Sequence, residues 1–341
     1  MIMGNKLRIL HAPINIANQM TIISKAQREL GYYSWSCDFS NNWFNYKSDQ
    51  YLNLEKLNNK YHRIFRMSQF FLNSILKYDI FHFYFGNTLL PRYYDLPILK
   101  GINKKMVMHY CGSDIRQKSI AERKNKYTKV KVEDEKGIRH RISTIAKYIK
   151  TAIVGDYELY EYIQGYFKKV VIIRAALNIQ DYRPAVLSLC KKIPLIVHAS
   201  SDKKFKGTEY ILKAIYRLKK EYNFHFKLIH GLNHEDAKKI YEKADIIVDQ
   251  LFTGAYGVFS TEAMALGKPV ICYIREDLKS KYPEELPIIS ANPENIYDVL
   301  KLLIEDAKLR HELGEKGRAY VEKYHDAKKI AGELIKVYES L

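Results

Sequence analysis

Residues 254–270 read GAYGVFSTEAMALGKPV. The apolar run DIIVDQL at 245–251 just before them predicts a buried strand, and Gly254 and Gly257 let the backbone come close to a ligand. Ser260 is placed as the N-cap of a short helix that ends at Gly267, and a further strand starts at Val270. A helix start facing a glycine-bearing loop offers free amides and a positive dipole end to phosphate oxygens. Glu262, an acceptor-only group one turn in, suits sugar hydroxyls. The plainer alternative is a helix–sheet turn in which Glu262 only compensates the helix dipole. The residues of this stretch, taken alone, leave both readings open.

Around this stretch the chain alternates strands and helical patterns, the mark of parallel α/β sheets. Strands are expected at 7–11, 33–37, 80–85, 106–110, 152–155 and 170–173, then again at 195–198, 226–229, 246–251, 270–273 and 287–289. At 341 residues the chain has room for two cores. Its 47% hydrophobic and 28% charged content are those of a soluble globular protein. Cys37, Cys111, Cys190 and Cys272 form no C-x-x-C pair, which argues against a zinc site or disulfide framework and for a reducing cytosol. No signal-peptide pattern opens the sequence and no run of about 18 apolar residues occurs, so a cytoplasmic location is expected.

Glu262-Ala-Met-Ala-Leu-Gly-Lys-Pro-Val270 resembles the donor-binding signature of glycosyltransferase family 4, whose members have the GT-B fold. That resemblance implies an α/β protein of two Rossmann-like domains, with parallel sheets facing an interdomain cleft. The acceptor-side domain is expected over 1–177, a linker near 178–192, and the nucleotide-sugar domain over 193–319. A closing helix at about 320–341 is expected to return to the first domain. Asn178, Tyr182 and Pro184 resemble the family's Asp-x-x-x-Phe-x-Pro junction with conservative changes.

By the resemblance, Glu262 binds the ribose of a UDP- or GDP-linked sugar. A first family glutamate, which contacts the donor sugar, falls on Gly254. In Ser200-Ser-Asp-Lys203-Lys204-Phe-Lys206-Gly207, the Lys206-Gly207 pair matches a diphosphate-binding element, while Ser200 stands where the family has arginine. Lys203 or Lys204 is the candidate replacement for that charge, though as a point charge rather than a bidentate fork. Taken alone, the KKFKG run reads equally well as a solvated loop. Tyr256, Gly257, Ser260 and Thr261 complete the donor-binding set, and no metal or other cofactor is expected, because protein cations and amides take its place.

On the acceptor side, Val107 to Arg116 reads VMHYCGSDIR. The family's His-Gly-x-Asp histidine aligns with Cys111, and His109, on the same strand face, is the candidate substitute for it. A strand histidine is also commonly a satisfied core residue, and its ordinary pKa near 6.5 permits either charge state. With Gly112, Asp114 and Arg116 are assigned to this side, or else pair with each other to fix the turn. His82 is read as structural. Asn15 is a candidate for sugar hydroxyls, and Asn18 is favoured as the cap of a helix running to Leu30.

The net charge is +18, and residues 100–150 hold fifteen Lys or Arg against five Asp or Glu. The run RKNKYTKVK at 123–131 reads either as a solvated face or as a surface for an anionic membrane, placed in the acceptor domain. The expected activity is transfer of a hexose-like sugar to a glycan or lipid-linked acceptor, with retention of configuration, in cell-surface polysaccharide or glycoconjugate synthesis. His109, Lys206 and Glu262 are the catalytic candidates. A donor-binding protein without transfer activity, a sugar-nucleotide epimerase and a basic nucleic-acid-binding protein rich in tyrosine remain as alternatives. No helix-turn-helix, zinc or RNP-like pattern supports the last of these.

Overall fold

The computed structural model describes residues 7–40, 46–184, 193–200 and 202–341; Cys190 and most of the expected linker fall outside them. The chain divides into two compact units. The first runs to Gln117 and adds Val132–Ala176 and Ala327–Leu341; the second holds Lys118–Lys131 and Leu177–Asp326.

In the first unit the strands are β1 (Arg8–Ala12), β2 (Tyr33–Asp38), β3 (Gln50–Tyr51), β4 (Ile80–Tyr84), β5 (Lys105–Tyr110), β6 (Thr151–Val154) and β7 (Lys169–Ile172). They form one parallel sheet in the order β3-β2-β1-β4-β5-β6-β7. Such a sheet is covered on both faces, which is why β4 (IFHFY) is buried at every residue. Ile9, Ile80, Val107 and Ile153 pack against Ala331, Leu334 and Tyr338 of the last helix, Ala327–Glu339, which therefore completes this unit's core.

The second unit holds β8 (Leu195–Ala199), β9 (His225–Ile229), β10 (Ile246–Val248) and β11 (Val270–Ile271), again parallel, in the order β11-β10-β8-β9. Alternate residues of the central strands serve opposite layers. Val197, Ile247 and Val270 meet Ala263, Met264, Tyr320 and Val321, whereas Ile196, Ile246 and Ile271 meet Ile211, Ile215, Leu300 and Leu303.

Several expectations need correction. The strand expected over 246–251 stops at Val248, because the Gln250 side chain turns back to accept from Thr253 N at 2.6 Å and donate to the Ala255 carbonyl. Residues 287–289 make only an isolated bridge between Ile289 and Ile271. The two-residue β3 carries too short a pattern to be read. The basic run at 123–131 lies in the second unit, not the first. There the Asn125 side chain donates to the Phe252 carbonyl, Lys126 pairs with Glu294 at 2.6 Å, and Tyr127 meets the Tyr273 ring edge-on at 5.5 Å. Charge reversal at Arg123, Lys124 and Lys126 therefore acts on the second unit itself.

Candidate active site

In the second unit the helix Val258–Ala265 follows the β10 loop, with Gly257 as its N-cap and no side chain capping it. Ser260 is thus not the N-cap. It lies inside the first turn and donates to Asp249 Oδ2 at 2.6 Å. The helix closes as the sequence leads one to expect. Gly267 N donates to the Met264 carbonyl and Lys268 N to the Ala263 carbonyl, a Schellman pair that Gly267 permits with φ of 70°.

Glu262 is buried, and its Oε1 accepts two hydrogen bonds, from Tyr182 Oη at 2.9 Å and His234 Nε2 at 2.6 Å. Its Oε2 accepts none among the described residues. His234 opens the helix His234–Tyr241, and although burial opposes its charge, the Glu262 carboxylate raises its pKa above the ordinary value. Both partners lie outside the stretch 254–270 that carries Glu262. The legible signal was Tyr182 in place of the family's phenylalanine, a hydroxyl where a buried carboxylate needs a donor.

Lys206 closes a four-residue helical turn, Lys203–Lys206, rather than lying in an open loop; Asp202 caps this turn through Lys204 N and Phe205 N. The Lys206 ammonium reaches Asp249 Oδ1 at 2.6 Å and lies 5.2 Å from the Phe259 ring centre. Burial alone would push the Asp249 carboxyl up, but Lys206 and Ser260 hold it below its usual range. One carboxylate therefore joins the loops after β8 and β10 to the helix start. Lys204 is exposed. Gly207, with φ of 75°, caps the helix Thr208–Leu218, and a Cβ there would come within 3.1 Å of Leu251 and Phe252.

At the end of β8, Ser200 is buried and its Oγ has no hydrogen-bond partner among the described residues. Thr261 Oγ1 donates back to the Gly257 carbonyl at 3.2 Å. Tyr256 turns its hydroxyl to Tyr320 and His325, each at 3.1 Å, among aromatic neighbours. Gly254 has φ of 83°, and a Cβ there would meet Arg275 Cγ at 2.5 Å; the Arg275 side chain fills the space a residue at 254 would need.

In the first unit, His11, His82 and His109 form a buried row across β1, β4 and β5. His11 bonds Tyr84 Oη at 2.9 Å and Gln27 Oε1 at 2.8 Å, and His82 Nε2 lies 3.3 Å from His109 Nδ1. Burial lowers the His109 pKa to about 3 and that of His11 to about 4, with His82 well below its ordinary value. His109 is therefore neutral at physiological pH. In the unfolded chain these rings take up protons near pH 6.5, so as pH falls below that the row favours unfolding. An NMR titration is expected to show no His109 transition near pH 6.5; a step there would refute the buried neutral ring.

Asp114 and Arg116 do not pair to fix the turn. Asp114 accepts from Gly112 N at 2.7 Å and Cys111 N at 3.1 Å, and burial raises its pKa to about 6. Arg116 instead forks onto Glu158, with bonds of 2.8–3.1 Å. Gly112 is required beneath it, since a Cβ there would lie 2.6 Å from the guanidinium. Asn15 is committed to helix entry: Oδ1 accepts from Met20 N, and Nδ2 donates to Thr21 and Ser48. Asn18 occupies the N-cap position without a side-chain cap bond, so Asn15 does the capping expected of it.

Residues 212–320 match the family model described as glycosyl transferases group 1. No curated protein matches the chain. Among solved structures, sucrose-phosphate synthase from Thermosynechococcus elongatus superposes with a TM-score of 0.66 at 15% identity, over 98% of this chain and 99% of that one. HepE of Anabaena, solved in complex with UDP, gives 0.67 at 13% identity over 98% and 100%. A glycosyltransferase from Rickettsia africae gives 0.67 at 15% identity over 99% of each chain. The fold shared with these structures is GT-B.

Proposed function

We propose that the chain is a glycosyltransferase that takes its sugar from a UDP-linked donor held by its second unit; the GT-B fold and the group 1 match over residues 212–320, which lie in that unit, support this reading. The observation that carries this reading is the Glu262 carboxylate, fixed through one oxygen by Tyr182 and His234 while the other stays unengaged among the described residues. A carboxylate oriented in this way suits the paired hydroxyls of a ribose. HepE of Anabaena was solved in complex with UDP-glucose, which supports the choice of base.

The diphosphate is assigned to Lys206, the first amides of the Val258–Ala265 helix and the Ser200 hydroxyl, which has no partner among the described residues. These stabilise the departing negative charge without calling on a metal, a preorganised electrostatic contribution of the kind that dominates much enzyme catalysis. The acceptor, a glycan or lipid-linked glycan, is assigned to the first unit with neutral His109. Transfer with retention, in cell-surface polysaccharide or glycoconjugate synthesis at the inner membrane face, completes the proposal. No helix among the described residues is long and apolar enough to cross a membrane.

Titration calorimetry with UDP tests this reading. Glu262→Ala is expected to lose about 1.5–3 kcal/mol of affinity, roughly ten- to hundredfold. Tyr182→Phe, which leaves the carboxylate present but less firmly held, loses less. Unchanged affinity in Glu262→Ala overturns the donor-site assignment.

A further inference from the structure

The helix Lys60–Lys77 reads KYHRIFRMSQFFLNSILK and contains no acidic residue, against Lys60, Arg63, Arg66 and Lys77. Phe71 and Ser74 are buried, and the Phe70 ring meets Phe39 edge-on at 5.6 Å, so this face holds the helix to the first unit. Elsewhere the helix is unusual. Tyr61, Phe65, Leu72 and Leu76 are 58–78% exposed. At 3.6 residues per turn these four fall within an arc of about 60°, and Gln69, His62, Asn73, Arg66 and Lys77 occupy about the next 100°. An exposed apolar stripe beside a basic arc is the pattern of a helix lying in the plane of a membrane interface.

We propose that the Lys60–Lys77 helix docks the protein on an anionic lipid surface, with Tyr61, Phe65, Leu72 and Leu76 entering the acyl boundary and Arg66 and Lys77 meeting lipid phosphates. Charge selects this occupant. A second copy of the same face would set basic residues against basic residues with no carboxylate on the helix to offset them. An anionic leaflet supplies the missing negative charge. The inference rests on the reading that the acceptor is membrane-associated, and it places attachment on this helix rather than on the basic run at 123–131, where Lys126 and Lys129 already have the partners Glu294 and Glu209.

The test is co-sedimentation of the full chain with vesicles of phosphatidylcholine alone or mixed with phosphatidylglycerol, at low and high salt. The protein is expected to bind the mixed vesicles at low salt and to be released by salt. Phe65→Ser with Leu72→Ser is expected to weaken binding at least about tenfold, and Arg66→Glu with Lys77→Glu to remove the preference for anionic lipid. Arg123→Glu with Lys124→Glu leaves binding unchanged. All these residues are exposed, and unfolding curves confirm that the variants fold. Wild-type-like binding by the Phe65/Leu72 variant, equal binding to neutral vesicles, or no binding at low salt overturns the proposal. So does a solution dimer that this variant converts to monomer. UDP titration of the same preparations keeps the two readings apart: a loss of nucleotide binding bears on the donor site, whereas vesicle binding bears on the helix.

Discussion

Replacing Lys206 with methionine is expected to destabilise the second unit by about 3 kcal/mol, the cost of stranding a buried carboxylate, as well as to abolish tight UDP binding. The Asp249 side chain is only 2% exposed and accepts from Lys206 and Ser260. Removing the ammonium leaves a single hydroxyl donor to support a buried charge. Thermal unfolding should register the loss as a fall of about 6–12 °C. Because Lys206 holds the Asp249 pKa below its usual range, that stabilisation is present at neutral pH and lost as pH falls through the folded value. The deficit of the variant should therefore shrink in acid, where Asp249 is protonated in any case. Lys206→Met combined with Asp249→Asn removes both charges and should recover most of the stability but not the UDP affinity. An unfolding temperature unchanged in the single variant would show that the pair is not a structural tie.

Introducing glutamate at Gly254, the residue type the family carries there, should harm this protein rather than improve it. The position has φ of 83°, which costs a residue with a Cβ about 1–2 kcal/mol. The new Cβ would also lie 2.5 Å from Arg275 Cγ and 2.7 Å from Cδ. Arg275 is buried and bound to Asp277 through bonds of 2.9 and 2.6 Å, so it cannot simply swing aside. Overpacking adds about 1–3 kcal/mol. Gly254→Glu is thus expected to unfold well below the parent protein and to gain no affinity for UDP-sugars. Gly257→Ala is the control: its φ is −117° and a Cβ there meets nothing within 4 Å. As a change at the helix N-cap, it should cost no more than about 1 kcal/mol. A Gly254→Glu protein of parental stability would show that the Arg275 packing is not fixed.

The sequence is informative where its signal is periodic and local. The apolar runs of the long strands, the glycine that ends the Val258–Ala265 helix and the motif from Glu262 to Val270 each carry their meaning within a few residues. It is weak where a side chain has a choice of partners. Ser260 is a good N-cap residue by type, yet Asp249, eleven positions away, draws its hydroxyl inside the helix. Asp114 and Arg116 are natural neighbours in sequence, yet backbone amides claim the first and Glu158 the second.

The sequence by itself determined two parallel α/β sheets and the glycine-closed helix that carries Glu262, because hydrophobic period and turn chemistry are encoded by adjacent residues. Tertiary structure alone decided what those residues can do. It gave Glu262 its clamp from residues 80 and 28 positions away, tied Lys206 to Asp249, neutralised His109 by burial and placed 118–131 with the second unit. Pairing energies and pKa values depend on which groups share a desolvated space, and residues distant in sequence come to share one only once the chain has folded.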